Sequence, residues 1–278
     1  MKNNVLSLEK PPQKTNYNSK LLDFSAKSWF IIATIGQWIF GGYVISVYHV
    51  STLKGDFEKW NTVLPKGYVA GDWKGNLMVG IHVLLAAIMV IGGPLQLIPQ
   101  IRERFQTFHR WLGRIYVSTA IIVSSVGFIM VWTRGTVGDT FMHIANSMQT
   151  FYIIIFAVLA VKFAREKQFA KHRNYTLRLF MVANGVWFFR VGLMAWLVVN
   201  QAPVGFNPDT FTGPFLWILS TFAYAVPISL ILLELYFYAQ KRQNQRFSTL
   251  TSIIIFLFTI IMTIGIFGAT MGMWLPRI

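Results

Sequence analysis

Four of the five histidines in this 278-residue chain fall into a repeated pattern. Arg102, Glu103, Arg104, His109 and Arg110 recur 63 residues later as Arg165, Glu166, Lys167, His172 and Arg173. Each copy opens with a further histidine, His82 and His143, at a spacing two residues shorter, which fits an old duplication with a small insertion or deletion. A neutral imidazole ligates iron through one ring nitrogen, and two imidazoles facing each other across a helix bundle hold a flat haem. His82 with His143 and His109 with His172 are therefore two candidate haem-iron pairs. A small residue stands one turn after each histidine (Ala86, Gly113, Ser147 and Thr176) and would leave room for the edge of a macrocycle. Small residues are also common wherever membrane helices pack closely. Each histidine alone has a plainer reading: His109 and His172 lie where helix starts need hydrogen-bonding partners and basic groups meet lipid phosphates. The argument for ligation is the joint pattern of alternate helices and repeat symmetry.

The elements that must position these residues are membrane helices. Hydrophobic residues make up 54% of the chain, charged residues 13%, and the mean hydropathy is +0.50, which is not the composition of a water-soluble domain. Crossing ~30 Å of hydrocarbon takes ~20 apolar residues. Windows of that kind fall near 28–50, 76–98, 112–133, 141–164, 176–199, 214–239 and 250–273. The expected fold is an all-α membrane protein of seven transmembrane helices, a single domain over 28–278 behind a basic tail at 1–27. The duplicated pairs, spans two-three and four-five, form a four-helix core at 76–199. His82 and His143 are then expected at one height near one membrane face, and His109 and His172 at another near the opposite face. About 15 residues, or ~23 Å at 1.5 Å per residue, separate the two levels on the second span.

The 25 Lys and Arg residues are distributed unevenly. Eighteen lie in the amino-terminal tail and the connections after spans two, four and six; six lie in the alternate connections and at Arg277. That asymmetry puts the amino terminus in the cytoplasm and the carboxyl terminus outside a cell membrane. The net charge of +15 follows from this bias, and anionic headgroups satisfy it without nucleic acid. The first 27 residues lack the apolar run of a cleaved signal peptide. The absence of cysteine excludes covalent c-type haem, cysteine-ligated iron–sulfur clusters, thiolate zinc and disulfides, so any metal ligation falls to histidine.

Other residues bear on the site. Arg190 lies within the fifth span and needs a partner; a haem propionate, a backbone carbonyl, a buried water or Asp139 would each serve. The long connection after the first span carries Trp60, Tyr68 and Trp73 and fits an interfacial anchor better than a lid. Gly92, Gly93 and Pro94 would kink the second span or let a neighbour approach closely. Pro227 should bend the sixth span, and Glu234 is expected to be offset by Lys241 and Arg242. Spans one, six and seven read as flanking scaffold.

The run HRWLGRIYV, preceded by IHVLLAAIMVIGGPLQLIPQIRERF and followed by KHRNYTLRLF, resembles a bacterial membrane family known as domain of unknown function 2306, over roughly Gly80 to Val199. HRWLG also looks like the His-x-Trp-Leu-Gly signature of the cytochrome b-561 superfamily, whose members move electrons across membranes through two bis-histidine b haems. That likeness implies one or two haem b, with His82, His109, His143 and His172 at the matching positions. His109 and His172 depart from it by lying closer to the interface.

The leading expectation is transmembrane electron transfer of the quinol- or ferric-reductase type, with a quinone or small redox carrier as partner. No catalytic residue is assigned, and the oligomeric state is not legible. The alternative is a non-redox transporter, lipid-handling protein or scaffold subunit. Transport coupled to protons or sodium is disfavoured because Glu234 is the one acidic candidate within the spans. A reporter that works only outside the cytoplasm, fused after Ile278, is expected to be active; strong cytoplasmic activity there would mean a miscounted span.

Overall fold

The computed structural model describes residues 17–278 apart from 63, 65 and 243, and no strand occurs among the described residues. Helix α1, Tyr17–Val44, runs on through a π-helical turn, Ile45–Val50, and a last turn, Ser51–Leu53. Helices α2 (Trp73–Leu97), α3 (Pro99–Arg104), α4 (Gln106–Thr133) and α5 (Thr140–Arg165) follow. Next come α6 (Phe169–Ala183), α7 (Gly185–Asn200), α8 (Pro214–Ser220), α9 (Ile228–Arg242) and α10 (Gln245–Ala269). Five of these, α1, α2, α4, α5 and α10, are long and apolar enough to cross a membrane unaided. The pairs α6–α7 and α8–α9 qualify jointly, bent by 50° and 49°, so counting each pair as one span gives up to seven. Residues 1–16 of the expected basic tail lie outside the described residues. Residues 17–27 are helical, with Leu22 and Ser25 buried.

Side-chain caps set several starts. Asp72 accepts from the Gly75 N–H at 2.9 Å to open α2, Asp139 from Met142 at 3.1 Å to open α5, and Asn244 from Phe247 at 3.1 Å to open α10. Helix α2 passes through Pro94 and stops at Ile98, which Pro99 holds in extended backbone. Gly93 serves close packing: a Cβ there would come within 3.1 Å of Tyr116 and 3.2 Å of Phe180.

The packing order places α2 against α4, α4 against α5 and α5 against α6, while α1 lies between α2 and α10, and α10 against α7. Between α2, α4, α5 and α6 the interior is filled by Met89, Tyr116, Ala120, Ile153, Ala157, Leu179 and Val182. On α1, Ala33, Phe40, Val44 and Val47 repeat at helical spacing and bury against Trp187, Ile266 and Trp274. The first connection folds over the end of this layer: Trp60 is buried, 6.0 Å from the Tyr48 ring and 5.5 Å from Phe57, above Gly80. Trp73 stays 68% exposed, so the connection supplies a plug, Trp60, and an outward-facing indole, Trp73.

Both helix breaks face α5. The bend at Pro227 was expected; the one at Asn184 was not. Gln149 of α5 donates to the Val182 carbonyl at 2.6 Å, and Tyr152 of α5 donates to the Ala225 carbonyl at 2.9 Å. Asn184 itself donates to Phe180 O at 2.8 Å. Gly185 lets these segments meet, since a Cβ there would lie 2.6 Å from Gln149 Nε2 and 2.8 Å from Ala223 O. Glu234 corrects its expected pairing: its carboxylate takes a two-point bond from Arg178 of α6, 2.6 Å from Nε and 3.0 Å from Nη2. Lys241 and Arg242 lie beyond ion-pair distance because they sit two turns further on, at the end of the same helix.

The closest approach of α10 to α7 depends on Gly265, where a Cβ would lie 2.1 Å from the Val191 carbonyl oxygen; around Gly42 there is nothing within 4 Å. Gly265→Ala is expected to cost about 1–3 kcal/mol, as overpacking does, whereas Gly42→Ala should be neutral or stabilising. Thermal unfolding of the full-length protein in detergent checks the pair, and equal behaviour of the two variants would contradict this packing.

Candidate functional site

His109 and His172 are each the fourth residue of their helices, α4 and α6, at the same basic end of the bundle. The His172 Nδ1–H donates to the Ala160 carbonyl of α5 at 2.9 Å. That bond fixes the tautomer and leaves Nε2 with its lone pair, as metal-binding histidines require. His109 lies close enough to His172 to interact with it electrostatically, and its Nδ1 is buried without a partner. Gln96 of α2 donates to the His109 carbonyl at 3.3 Å and ties the start of α4 to the end of α2.

The other pair is built differently. His82, tenth residue of α2, donates through Nδ1 to the Val123 carbonyl of α4 at 3.1 Å. The ring sits in a notch left by Gly127, where a Cβ would be 2.9 Å from His82 Cε1. His143, fourth residue of α5, sets its ring edge-on to Trp132 at 6.2 Å, and its Nε2 is buried without a partner. Trp132 donates to the Ser147 hydroxyl at 2.9 Å, which donates to the His143 carbonyl at 2.8 Å. His82 thus engages α4 at Val123 and Gly127, His143 at Trp132, which separates them by ~8–14 Å along that helix at 1.5 Å per residue. His82 stands nine residues after the start of α2 and His143 three residues after the start of α5.

The small residues expected to leave space are partly occupied. Gln96 fills the notch at Gly113, its Oε1 3.1 Å from where a Cβ would stand, and the hydroxyls of Ser147 and Thr176 turn back onto the carbonyls of His143 and His172. No group of three or more metal-ligating side chains occurs among the described residues.

Arg190, on α7, is half-buried and has no acidic partner among the described residues. Its guanidinium lies 5.5 Å over the Phe40 ring, and Nη1 reaches the Val186 carbonyl at 3.5 Å. His82, Tyr43, Tyr48 and Tyr224 are all within its electrostatic range. Asp139 is not its partner: it caps α5 and takes the Trp217 indole N–H at 2.7 Å. Around Arg190 lies a set of polar groups that sequence reasoning missed. Gln37 is completely buried with neither amide atom paired, and the Tyr43 hydroxyl and the Trp187 and Trp274 indole N–H groups are likewise buried and unpaired. Gln37 interrupts the apolar stripe of α1 between Ala33 and Phe40, a signal that was present in the sequence. The π-helical turns Ile45–Val50 and Thr270–Trp274 flank this set, and such turns often mark functional sites.

Residues 79–211 match the family model described as "Predicted membrane protein (DUF2306)". The match spans four histidines, the break at Asn184 between α6 and α7 and most of the connection that follows, just under half of the chain. No curated protein and no solved structure matches the chain, so the likeness to the cytochrome b-561 superfamily rests on its sequence signature alone.

Asp139 lies just outside the spans. Burial pushes its carboxyl up, but the Met142 N–H and the Trp217 indole outweigh this and hold it below its ordinary value of 3.8. A depressed folded pKa contributes stability that is present above 3.8 and is lost as pH falls through the lower folded value. Asp139→Asn should therefore lower the thermal midpoint at neutral pH, and the gap to wild type should close only in strong acid. A gap that persists unchanged there would contradict the assignment.

Proposed function

We propose that this membrane protein carries electrons across the cell membrane on b-type haem, with its amino terminus cytoplasmic, its carboxyl terminus external, and His109 and His172 as the principal ligand pair. The observation that carries this reading is the His172 Nδ1 bond to Ala160, made at the level where His109 lies within electrostatic reach. His109 and His172 would hold a haem between them, and such a group would supply one-electron transfer. His172 is held in the ligating tautomer by α5, and His109 is steadied at its backbone by Gln96. The apolar side chains of Met89, Tyr116, Ile153 and Leu179 exclude water above that level. His82 and His143 are the candidates for a second haem. His82 is already in the ligating tautomer, and the Nε2 of His143 is buried without a partner. Arg190, unpaired and near His82, would balance a propionate on that second group. The redox partners fitting this arrangement are a quinol or small soluble carrier inside and a quinone or ferric chelate outside.

One observation favours the non-redox transporter. Broken spans with backbone carbonyls turned to side chains are a feature of secondary transporters, and here the breaks at Asn184 and Pro227 meet each other beside α5.

Redox difference spectroscopy on protein expressed with ample haem separates the two. Wild type should show a sharp reduced b-type band. His109→Ala and His172→Ala should each abolish the signal of one haem together, because loss of either axial nitrogen opens a coordination position. His82→Ala and His143→Ala should remove at most the remainder. A colourless wild type overturns electron transfer and favours the transporter.

A further inference from the structure

Beside the basic end, away from the histidines' own layer, lies a cavity of about 180 Å³ between α1, α6, α9 and α10, closed on one side by the end of α2. Its walls are apolar, with Trp29, Leu97, Phe180 and Leu233 among them, and Arg173 is the one charged residue that lines it. Arg173 forms no ion pair among the described residues; its side chain reaches the Tyr236 hydroxyl, which also accepts from Gln240 at 2.7 Å. Asp23 lies near enough to Tyr236 to affect it but not within ion-pair distance of Arg173. Ser229 is the remaining polar lining residue, and its hydroxyl is committed to the Met181 carbonyl at 3.5 Å.

We propose that this cavity binds a long-chain carboxylate, with the acyl chain between Trp29, Phe180 and Leu233 and the carboxylate on Arg173 and Tyr236. Three features select this occupant. At about 180 Å³ the cavity is smaller than the ~300–1,000 Å³ of drug-sized pockets and takes part of a single acyl chain. The walls offer no hydrogen-bonding groups along their length, which suits methylenes, each worth ~0.8 kcal/mol when buried. The one cation lining the cavity, with no ion pair among the described residues, suits an anionic head, and a planar guanidinium with a neighbouring phenol matches a carboxylate in two-point geometry. The chain would lie in the leaflet on that side with its head at the interface, where a free fatty acid already places its carboxylate. This site shares no residue with the haem reading and stands or falls separately from it.

The test uses the full-length protein in detergent and a stearate brominated at mid-chain, which quenches tryptophan on contact. Wild type should show a saturable quenching component above the linear background of micelle partition. Trp29→Phe should remove that component by deleting its reporter. Arg173→Gln should shift its midpoint by roughly tenfold or more, the loss expected for one charge-assisted hydrogen bond, while Arg173→Lys should recover part of it. The methyl ester of the same acid should bind at least tenfold more weakly than the acid. Purely linear quenching, identical in all variants, overturns the site; equal binding of acid and ester overturns the role of Arg173. Saturation by a brominated phosphatidylcholine with none by the free acid also overturns the proposal, since the occupant would then be an ordinary bilayer lipid.

Discussion

A backbone carbonyl inside hydrocarbon has no water to turn to, so wherever a spanning helix breaks, another part of the protein must supply a donor. Much of this structure follows from that constraint. Helix α5 runs unbroken beside two broken spans and sends Gln149 to Val182 and Tyr152 to Ala225, one donor for each break. Histidines bridge helices where no span breaks: His82 donates to Val123 within α4, and His172 to Ala160 within α5. Side chains that bridge helices in this way are fixed in ring orientation and tautomer as a consequence. Two of the four repeat histidines thereby present a lone pair on Nε2 whether or not iron occupies it.

The spans were legible because their apolar windows are long, and the bend at Pro227 was legible because proline withholds a donor. The break at Asn184 was not, since it arises from tertiary contacts: Gly185 meets Gln149 and Ala223, residues far away in sequence. Glu234 was read against its own helix, yet Arg178 on α6 holds it, flanked by the rings of Tyr175 and Phe237 at 5.0 and 5.4 Å. Residue spacing within one helix says which groups share a face; it says nothing of which face a neighbouring helix presents.

The four histidines were singled out by spacing alone, and the structure adds where each stands along its helix. Counting from the helix caps, His109 and His172 are equivalent, but Asp72 and Asp139 stand ten and four residues before His82 and His143. The repeat offset had hidden this, because a two-residue shift in sequence does not report where each helix begins. A bare guanidinium in lipid is costly, and the structure sets Arg190 over the Phe40 ring. Gln37, Trp187 and Trp274 on that side are buried with polar atoms that have no partner among the described residues.

Electron transfer as proposed requires His109 and His172 to hold one iron at the basic end. Low-temperature electron paramagnetic resonance of the oxidised full-length protein is the decisive measurement. A low-spin ferric signal of bis-imidazole type is expected in wild type and in His82→Ala, converted to high spin or lost in His172→Ala. A wild type without any ferric haem signal, or one whose low-spin signal survives His172→Ala unchanged, would contradict the proposal.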